Sequence, residues 1–382
     1  MSEIFLPYGR QSISEDDIEA VISILRGDWL TTGPMVEKFE GDVADYVGVA
    51  HAVSFSSGTA ALHGAMHAAG VAPGSAAVAP SLTFAATANS VIYCGGRPVL
   101  ADISPDTLCL DPGAVEAAAG HVAEPVRAIV PVSFAGYPVK ITDFRDAANR
   151  LGALVIEDAS HALGAERGLH KVGQEADMTV FSFHPVKHIT TAEGGMVVTN
   201  SAELAKRLRL FRSHGIVKSP EDFVRAYAGA WDNDMVELGY NYRLTDMASA
   251  LGASQLKNID YFVMRRKEIA VMYREMLSEA PDIVLPPDHP GHSYHLFPIW
   301  VDGSRRKDVF DRLRGNGIGV QVHYVPLHLH TYYREKFAFF EGDFPLTEKF
   351  SSGEISLPIF PDMLDEHVEL VVKNLALALG AR

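Results

Sequence analysis

Hydrophobic residues recur along this chain with two different spacings, one typical of helices and one typical of buried strands. Near the start, Ile18, Val21, Ile22 and Leu25 share one face of a helical projection. Ser14 precedes them in the pattern S-x-x-D, whose serine and acidic side chains cap the free N–H groups of a helix start. We therefore predict a helix that begins just after Ser14.

A second helix is predicted to begin at Pro34, because proline has no N–H and the first turn of a helix does not need one. Beyond residue 50, short apolar runs alternate with segments of helical spacing. We predict strands at 52–55, 76–79, 98–101, 128–132, 153–156, 179–183 and 196–199, and helices at 59–69 and 85–93. This alternation favours a mostly parallel sheet covered by helices on both faces. Ligands of such sheets bind beyond the carboxyl ends of the strands.

The pattern changes after about residue 250. A helix at 249–259 is followed by a long amphipathic segment rich in Arg, Lys and Met. Strand-like runs at 294–301 and 318–324, with helices near 307–314 and 364–379, indicate a small α+β unit. We predict a large domain over residues 1–255 and a smaller domain over residues 256–382.

Composition restricts the class of protein. The chain has 382 residues, of which 47% are hydrophobic and 21% charged, as in ordinary globular proteins. No apolar stretch approaches the roughly 18 residues of a membrane span. The first residues lack a signal-peptide pattern, and the two cysteines, Cys94 and Cys109, form no C-x-x-C pair, so we expect a reducing cytoplasm. A net charge of −15 argues against nucleic acid and anionic membranes as partners, so local donors must hold any anionic ligand.

A lysine and a carboxylate lie beyond two of the predicted strands. Lys187 is in the segment 181–195, which leaves a strand and becomes rich in glycine, hydroxyl groups and histidine, and Asp158 ends the run 155–158. An enzyme that uses pyridoxal phosphate (PLP) needs a lysine that forms a Schiff base with the cofactor aldehyde. It also needs a carboxylate that keeps the pyridine nitrogen protonated. The pair predicts a PLP site, although each residue alone fits a helix cap or a solvated loop.

Small and hydroxyl-bearing residues indicate where a phosphate would bind. Ser57, Gly58 and Thr59 join a predicted strand to a predicted helix, where free N–H groups attract anions. An ordinary N-cap by Ser57 or Thr59 explains the same residues. Ser182 offers another hydroxyl group. Phe84, after another strand end, is suited to stacking on a planar ring, although a single phenylalanine is more often in a core.

The histidine patterns do not predict a metal site. His63 and His67 are four residues apart, but the glutamate of a zinc-protease helix is missing between them. His323, His328 and His330 fit a strand that runs into a ligand-contacting loop. The chain also lacks the G-x-x-x-x-G-K-[ST] phosphate loop and the G-x-S-x-G motif.

Taken together, these residues resemble the sugar aminotransferases of the DegT/DnrJ/EryC1/StrS family, nearly end to end. The motifs that carry the resemblance are Leu30-Thr-Thr-Gly-Pro34, Ser57-Gly-Thr59, Glu157-Asp-Ala-Ser-His-Ala162, Phe181-Ser-Phe-His184 with Lys187, Glu193-Gly-Gly195, Phe211-Arg-Ser-His-Gly215, Gly239-Tyr-Asn-Tyr-Arg243 and Val322-His-Tyr324. Within the family, the segments 184–195 and 212–215 are most similar to the pseudaminic acid pathway enzymes. Those enzymes aminate C4 of a UDP-linked 4-keto-6-deoxy-2-acetamido sugar.

The resemblance implies the type I aspartate-aminotransferase fold, with a mostly parallel seven-stranded sheet between helices and a smaller C-terminal α+β domain. It implies that Lys187 is the Schiff-base lysine and that Asp158 is the partner of the pyridine nitrogen. The other residues that would contact the cofactor are Ser57, Gly58, Thr59, Phe84, His161, Ser182 and Asn241. Those that would contact the nucleotide-sugar are Tyr8, Leu30, Thr31, Thr32, Gly33, Arg243, Val322, His323, Tyr324 and Val325.

The resemblance also implies partners. Glutamate would donate the amino group, and Asn241 would reach the cofactor phosphate of a neighbouring subunit, so the active unit would be a homodimer with composite sites. His161 departs from the broad family, in which many members carry glutamine. Three alternatives stay open: another nucleotide-linked 3- or 4-ketosugar as substrate, a PLP-dependent sugar dehydratase, in which histidine typically replaces Lys187, and a non-catalytic regulator.

Overall fold

A mixed sheet forms the centre of the computed structural model, which describes residues 5–280 and 282–380. Within these residues, its seven strands are β1 His51–Phe55, β2 Ala76–Pro80, β3 Arg97–Ala101, β4 Val126–Ile129, β5 Leu154–Asp158, β6 Met178–Ser182 and β7 Gly195–Thr199. Their order is β1-β7-β6-β5-β4-β2-β3. Only β7 runs antiparallel to its neighbours β1 and β6, so the predicted mostly parallel sheet is confirmed.

The predicted strand at 128–132 is shifted. β4 occupies Val126–Ile129, and beyond it only a single bridge joins Val132 to Asp158. Pro131 lies between them and has no N–H to donate, so the regular ladder ends before it.

Helices cover both faces of the sheet and fill the C-terminal part. In the described residues they are α1 Glu15–Leu25, α2 Pro34–Val47, α3 Gly58–Ala68, α4 Ala85–Tyr93, α5 Val115–Ala119, α6 Arg145–Leu151, α7 Ala202–Arg212, α8 Asp246–Leu256, α9 Ile259–Leu277, α10 Gly303–Gly315, α11 Thr331–Phe337, α12 Pro345–Gly353 and α13 Asp365–Ala378. None of those in the described ranges is both long enough and apolar enough to cross a bilayer.

The predicted cap of α1 is confirmed. Ser14 Oγ accepts from the Asp17 N–H, and the Ser14 N–H donates to Asp17 Oδ2. The apolar face that identified this helix is only partly covered, because Ile18 is 44% exposed and Leu25 is 56% exposed. Contact with α8 is instead anchored by buried Asp17, which accepts a hydrogen bond from Gln255 Nε2.

The C-terminal part is built around an antiparallel pair, β8 Phe297–Trp300 and β9 Glu354–Leu357. β8 lies within the run predicted at 294–301. The strand predicted at 318–324 is wrong, because this segment makes only single bridges, from Ile318 to Leu6 and from Gln321 to Ser356. The segment passes from one neighbour to the other, so no regular ladder forms.

Separate hydrophobic clusters lie on the sheet and in the C-terminal part. Helix α9 joins two of them: Phe262 and Val263 pack under the sheet, whereas Tyr273 and Leu277 pack against β8 and β9. The division into domains at residues 255 and 256 stays a prediction.

Parallel strands bring their carboxyl ends to one edge of the sheet. The ends of β1, β5 and β6 place Ser57, Asp158 and Ser182 at that edge, and the loop after β2 adds Phe84. The site described next lies there.

Candidate active site

A cavity of about 540 Å³ opens at this edge of the sheet, between it and the C-terminal part. It collects most of the residues that the sequence predicts for the site. Those that line it are Tyr8, Ser57, Gly58, Thr59, Phe84, Asp158, His161, Ser182, Lys187, Val322, His323 and Tyr324. These side chains come from both halves of the chain, so the cavity forms only when the halves pack together.

Asp158 is a buried acidic residue of the cavity, and hydrogen bonds hold its side chain in place. It is 4% exposed at the end of β5. Its Oδ2 accepts a hydrogen bond of 2.7 Å from Thr87 Oγ1, and its Oδ1 accepts from the Ser160 N–H and from Ser160 Oγ. Hydrogen bonds on both oxygens hold the carboxylate in one orientation.

Lys187 is partly buried in the same cavity, and its Nζ lies 3.4 Å from His295 Nε2. Burial lowers the pKa of Lys187 to about 8, against the opposing effect of Asp158, and the charge of Arg266 lowers it further. About a tenth of the amine is therefore unprotonated at pH 7, against about one part in three thousand for an ordinary lysine. A nucleophilic amine at neutral pH follows from this environment.

His161 and Tyr324 form a fixed pair on the cavity wall. The Ala135 N–H donates to His161 Nδ1 at 3.3 Å, so the proton of the neutral ring lies on Nε2. That Nε2 is 3.2 Å from the Tyr324 hydroxyl and donates to it. The pKa of His161 is held well below its usual range, first by burial and then by Lys187, which keeps the ring neutral.

The start of α3 forms a cradle for an anion. Ser57 caps the helix by accepting from the Ala60 N–H, and helix geometry leaves the N–H groups of Gly58 and Thr59 without partners in the helix. Space at this point is tight: a Cβ at Gly58 would lie 3.0 Å from Ser182 Oγ, and one at Gly195 would lie 2.5 Å from the Ser57 carbonyl oxygen. At Gly195 the clash is with backbone, so only glycine lets the chain segments meet there, whereas a side chain at Gly58 would press on Ser182.

Phe84 presents an aromatic face to the cavity. Its side chain is 59% exposed, although it lines a concave site, and its ring lies 5.9 Å from that of Tyr324. Exposure on this scale is unusual for a core phenylalanine and fits a ring that stacks on a flat ligand.

The remaining predicted residues lie outside this cavity. Leu30–Gly33 packs at the start of α8, where Thr31 bridges Thr245 and the Gly33 N–H donates to Asp246 Oδ2. Arg243 lines a neighbouring cavity of about 430 Å³. The other two, Asn241 and Val325, are exposed on the surface.

Several residues of the site were missed by the sequence analysis. Thr87 and Ser160 hold Asp158, and His295 contacts Lys187 from the C-terminal part of the chain. Ser160 stands beside Asp158 within a recognised motif, which was an available signal. His295 gave none, because a histidine in an apolar run resembles a core residue.

The donor set fits pyridoxal phosphate. A carboxylate with both oxygens fixed, a partly unprotonated lysine, an exposed aromatic face and an N–H-rich helix start surround one cavity. These are the partners that the ring nitrogen, the aldehyde, the ring face and the phosphate of the cofactor require. Among the described residues no three His, Cys, Asp or Glu side chains are arranged to hold a metal ion.

Comparison with protein families gives one match that spans nearly the whole chain. Residues 11–376 match the DegT/DnrJ/EryC1/StrS aminotransferase family. The spore coat polysaccharide biosynthesis protein SpsC of Bacillus subtilis is 36% identical over 376 residues, which are 97% of this chain and 96% of that protein.

Solved structures agree with this match. PseC of Helicobacter pylori, an aminotransferase involved in the biosynthesis of pseudoaminic acid, is 32% identical and superposes with a TM-score of 0.90, over 99% of this chain and all of that one. NtdA of Bacillus subtilis, solved with the bound cofactor PMP, is 28% identical with a TM-score of 0.84, over 96% of this chain and 83% of that one.

Proposed function

Since the chain belongs to the DegT/DnrJ/EryC1/StrS aminotransferase family, we propose that it moves an amino group from glutamate to C4 of a UDP-linked 4-keto-6-deoxy-2-acetamido sugar. The enzyme is a PLP-dependent sugar aminotransferase. The proposal for the active site rests on one observation: Asp158 and Lys187 lie in one cavity, beside the start of α3.

Each part of the cavity would have a separate task. PLP supplies an aldehyde that takes up an amino group and a ring that accepts electrons from the reacting carbon. Lys187 would bind the aldehyde and, when released, act as base and then as acid toward the substrate carbon. Asp158 would hold a proton at the ring nitrogen, because a fixed carboxylate stabilises an adjacent cation. The start of α3, with Ser182, would bind the phosphate.

The choice of sugar rests on similarity. PseC matches this chain over its whole length, and the segments 184–195 and 212–215 are those that resemble pseudaminic acid pathway enzymes. His161, which is hydrogen-bonded to Tyr324 on the cavity wall, is the position at which this chain departs from the broad family. The nucleotide, the epimer and the position of the ketone are the parts to be tested.

A panel of ketosugars tests the proposal. Purified holoenzyme with glutamate as donor would be given UDP-, GDP- and dTDP-linked 4-ketosugars and 3-ketosugars, and kcat/KM would be measured for each. We expect the UDP-linked 4-ketosugar to have the highest value. A clear preference for a dTDP or GDP sugar, or for a 3-keto group, would contradict the proposed substrate and leave the enzyme an aminotransferase for another ketosugar.

Arg243 is the proposed contact for the sugar diphosphate. Its Nε is buried and has no protein partner in residues 5–280 and 282–380, and Glu193 lines both its cavity and the main one. A chain with a net charge of −15 must offset the diphosphate locally. We expect Arg243→Ala to raise KM for the ketosugar about tenfold or more, equivalent to about 1.4 kcal/mol, and KM for glutamate much less.

Arg312→Ala is the matched control for Arg243→Ala, because Arg312 is exposed on α10, where it pairs with Asp308 one turn away. It should leave both Michaelis constants unchanged. If Arg243→Ala raised both constants equally, Arg243 would not be a specific contact of the ketosugar.

We further propose that the active unit is a homodimer. Asn241 is exposed and lies outside the cavity of its own chain. On the described surface, helix α1 and the segment after it carry apolar side chains that a subunit interface would bury, namely Ile18, Leu25, Trp29 and Leu30, which are 44% to 57% exposed. Asn241 would reach the cofactor phosphate bound by the other subunit.

Mixed dimers test this arrangement. A dimer of one Lys187→Ala and one Asn241→Asp subunit has one site in which both residues are intact, so random pairing should restore about a quarter of wild-type activity. The control is a mixture of Lys187→Ala and Asp158→Asn subunits, which leaves every hybrid site defective and should restore nothing. A fully active monomer would contradict the shared site.

A further inference from the structure

Glu354 is a buried carboxyl group to which the proposed chemistry gives no task. It is the first residue of β9 and has no solvent exposure. A carboxyl group in such a place is costly unless its oxygens are hydrogen-bonded. Both are bonded here, and both bonds lead toward the active-site cavity.

The two bonds connect Glu354 to His323. Glu354 Oε2 accepts from the His323 N–H at 2.7 Å, and Glu354 Oε1 lies 2.6 Å from Ser356 Oγ. Ser356 Oγ in turn lies 2.8 Å from His323 Nδ1. His323 lines the cavity, and in the described part of the chain its ring is hydrogen-bonded through Nδ1, to Ser356.

The hydroxyl proton of Ser356 links Glu354 on one side to His323 on the other. Ser356 can donate to only one neighbour at a time. When Glu354 is ionised, it can only accept, so Ser356 donates to it and accepts from His323 Nδ1–H, which leaves a lone pair on Nε2. When Glu354 is protonated, it donates to Ser356, Ser356 donates to Nδ1, and the ring proton lies on Nε2.

The ring of His323 stays neutral in both arrangements. Burial, and after it the charge of Lys187, lowers the pKa of His323 to about 3. A change of state at Glu354 therefore moves the proton between the two ring nitrogens and does not charge the imidazole.

We propose that Glu354 and Ser356 are positioning residues that decide which ring nitrogen of His323 carries the proton, and so whether this imidazole accepts or donates a hydrogen bond in the cavity. With Nε2 bare, His323 accepts from a hydroxyl or N–H group of the ligand. With Nε2 protonated, it donates to a carbonyl oxygen. The inference rests on the proposed function only for the nature of that ligand, which would be a ketosugar.

Glu354 should gain or lose its proton near pH 8. Burial raises the pKa of Glu354 to about 8, against the hydrogen bonds from Ser356 and the His323 N–H and the charge of Arg306 on α10. Besides Arg306 and His323, the titratable neighbour is Tyr324, whose pKa is raised partly by Glu354. Trp300, the partner of Glu354 across β8, carries no charge. Below about pH 8 the proton should lie on Nε2, and above it on Nδ1.

Nuclear magnetic resonance on the holoenzyme with ¹⁵N-labelled histidine tests the proposal, since protonated and bare ring nitrogens resonate far apart. The chain has 16 histidines, so the His323 signals would be assigned by their loss in His323→Gln. We expect them to exchange character between Nε2–H and Nδ1–H with a midpoint near pH 8.

Two variants distinguish a relay, in which Glu354 acts through Ser356 on the His323 ring proton, from a merely structural role of these residues. In Glu354→Gln, the amide oxygen accepts the His323 N–H and the amide nitrogen donates to Ser356, so His323 should keep its proton on Nε2 at every pH. In Ser356→Ala the carboxyl group remains but the link is cut, so the transition near pH 8 should disappear.

The proposal would be overturned if the position of the His323 ring proton did not change with pH and was the same in wild type and Glu354→Gln. The measurement concerns the protein without substrate, so failure of the sugar assignment would not affect it. Conversely, loss of the relay would leave aminotransfer from glutamate measurable.

Discussion

Replacement of Lys187 by alanine should give a folded protein without turnover. Lys187 lies in a loop that lines the cavity, and within the described residues its Nζ is hydrogen-bonded to His295 Nε2 at 3.4 Å, so little stability depends on it. In the proposed mechanism, the change removes both the covalent partner of PLP and the proton carrier. Proton transfer by a positioned group alone contributes about 10²–10⁴-fold. We expect kcat to fall by at least about 10⁴-fold, or about 5.5 kcal/mol of barrier.

Two controls accompany Lys187→Ala, with kcat and the thermal midpoint measured for each. Lys187→Arg keeps the charge but not the nucleophile, and should be as inactive. Lys206→Ala removes an exposed lysine that pairs with Asp222 on the surface, and should have wild-type activity. Turnover near the wild-type rate in Lys187→Ala would show that this lysine has no chemical part.

Asp158→Asn should slow the chemistry while leaving the cavity intact. Asparagine is close in size, and its one amide oxygen can still accept from Ser160, while its amide nitrogen would face the Thr87 hydroxyl as a donor, but it carries no charge. If loss of the carboxylate lowers the pKa of the ring nitrogen by about three units, the reaction loses about 4 kcal/mol, or about 10³-fold in kcat.

Ser160→Ala is the control for Asp158→Asn. It removes the hydrogen bond from Ser160 Oγ to Oδ1, but it keeps the one from the Ser160 N–H and leaves the carboxylate in place. It should cost much less than Asp158→Asn with both glutamate and ketosugar. Equal rates in wild type and Asp158→Asn would make Asp158 a structural residue that only orders the turn after β5.

The parts of the fold that the sequence predicts are those governed by local pattern. Ser14 and Asp17 form the expected cap because a capping box needs only residues close in the chain. Asp158 and Ser182 meet at one edge of the sheet because buried apolar runs imply parallel strands, and such strands share the direction in which they end. Ser57, at the start of α3, follows from the same rule.

Features that depend on distant contacts could not be predicted. The antiparallel direction of β7 leaves no trace in its sequence, because a strand buried on both faces has the same apolar run in either direction. The run at 318–324 has the composition of a strand, but no continuous partner lies beside it. Glu354 and His295 gave no signal, because the value of a buried polar residue depends on what surrounds it.

Transfer of the amino group from glutamate to the cofactor is the first half of the proposed reaction, and a spectrum of the purified holoenzyme tests it most directly. Glutamate alone, without ketosugar, should convert the absorbance of bound PLP into that of PMP and release one 2-oxoglutarate for each active site. Addition of the ketosugar should then restore the first spectrum. If glutamate left the spectrum of cofactor-loaded wild-type protein unchanged and released no 2-oxoglutarate, the proposed transfer from glutamate through Lys187 and Asp158 would be wrong.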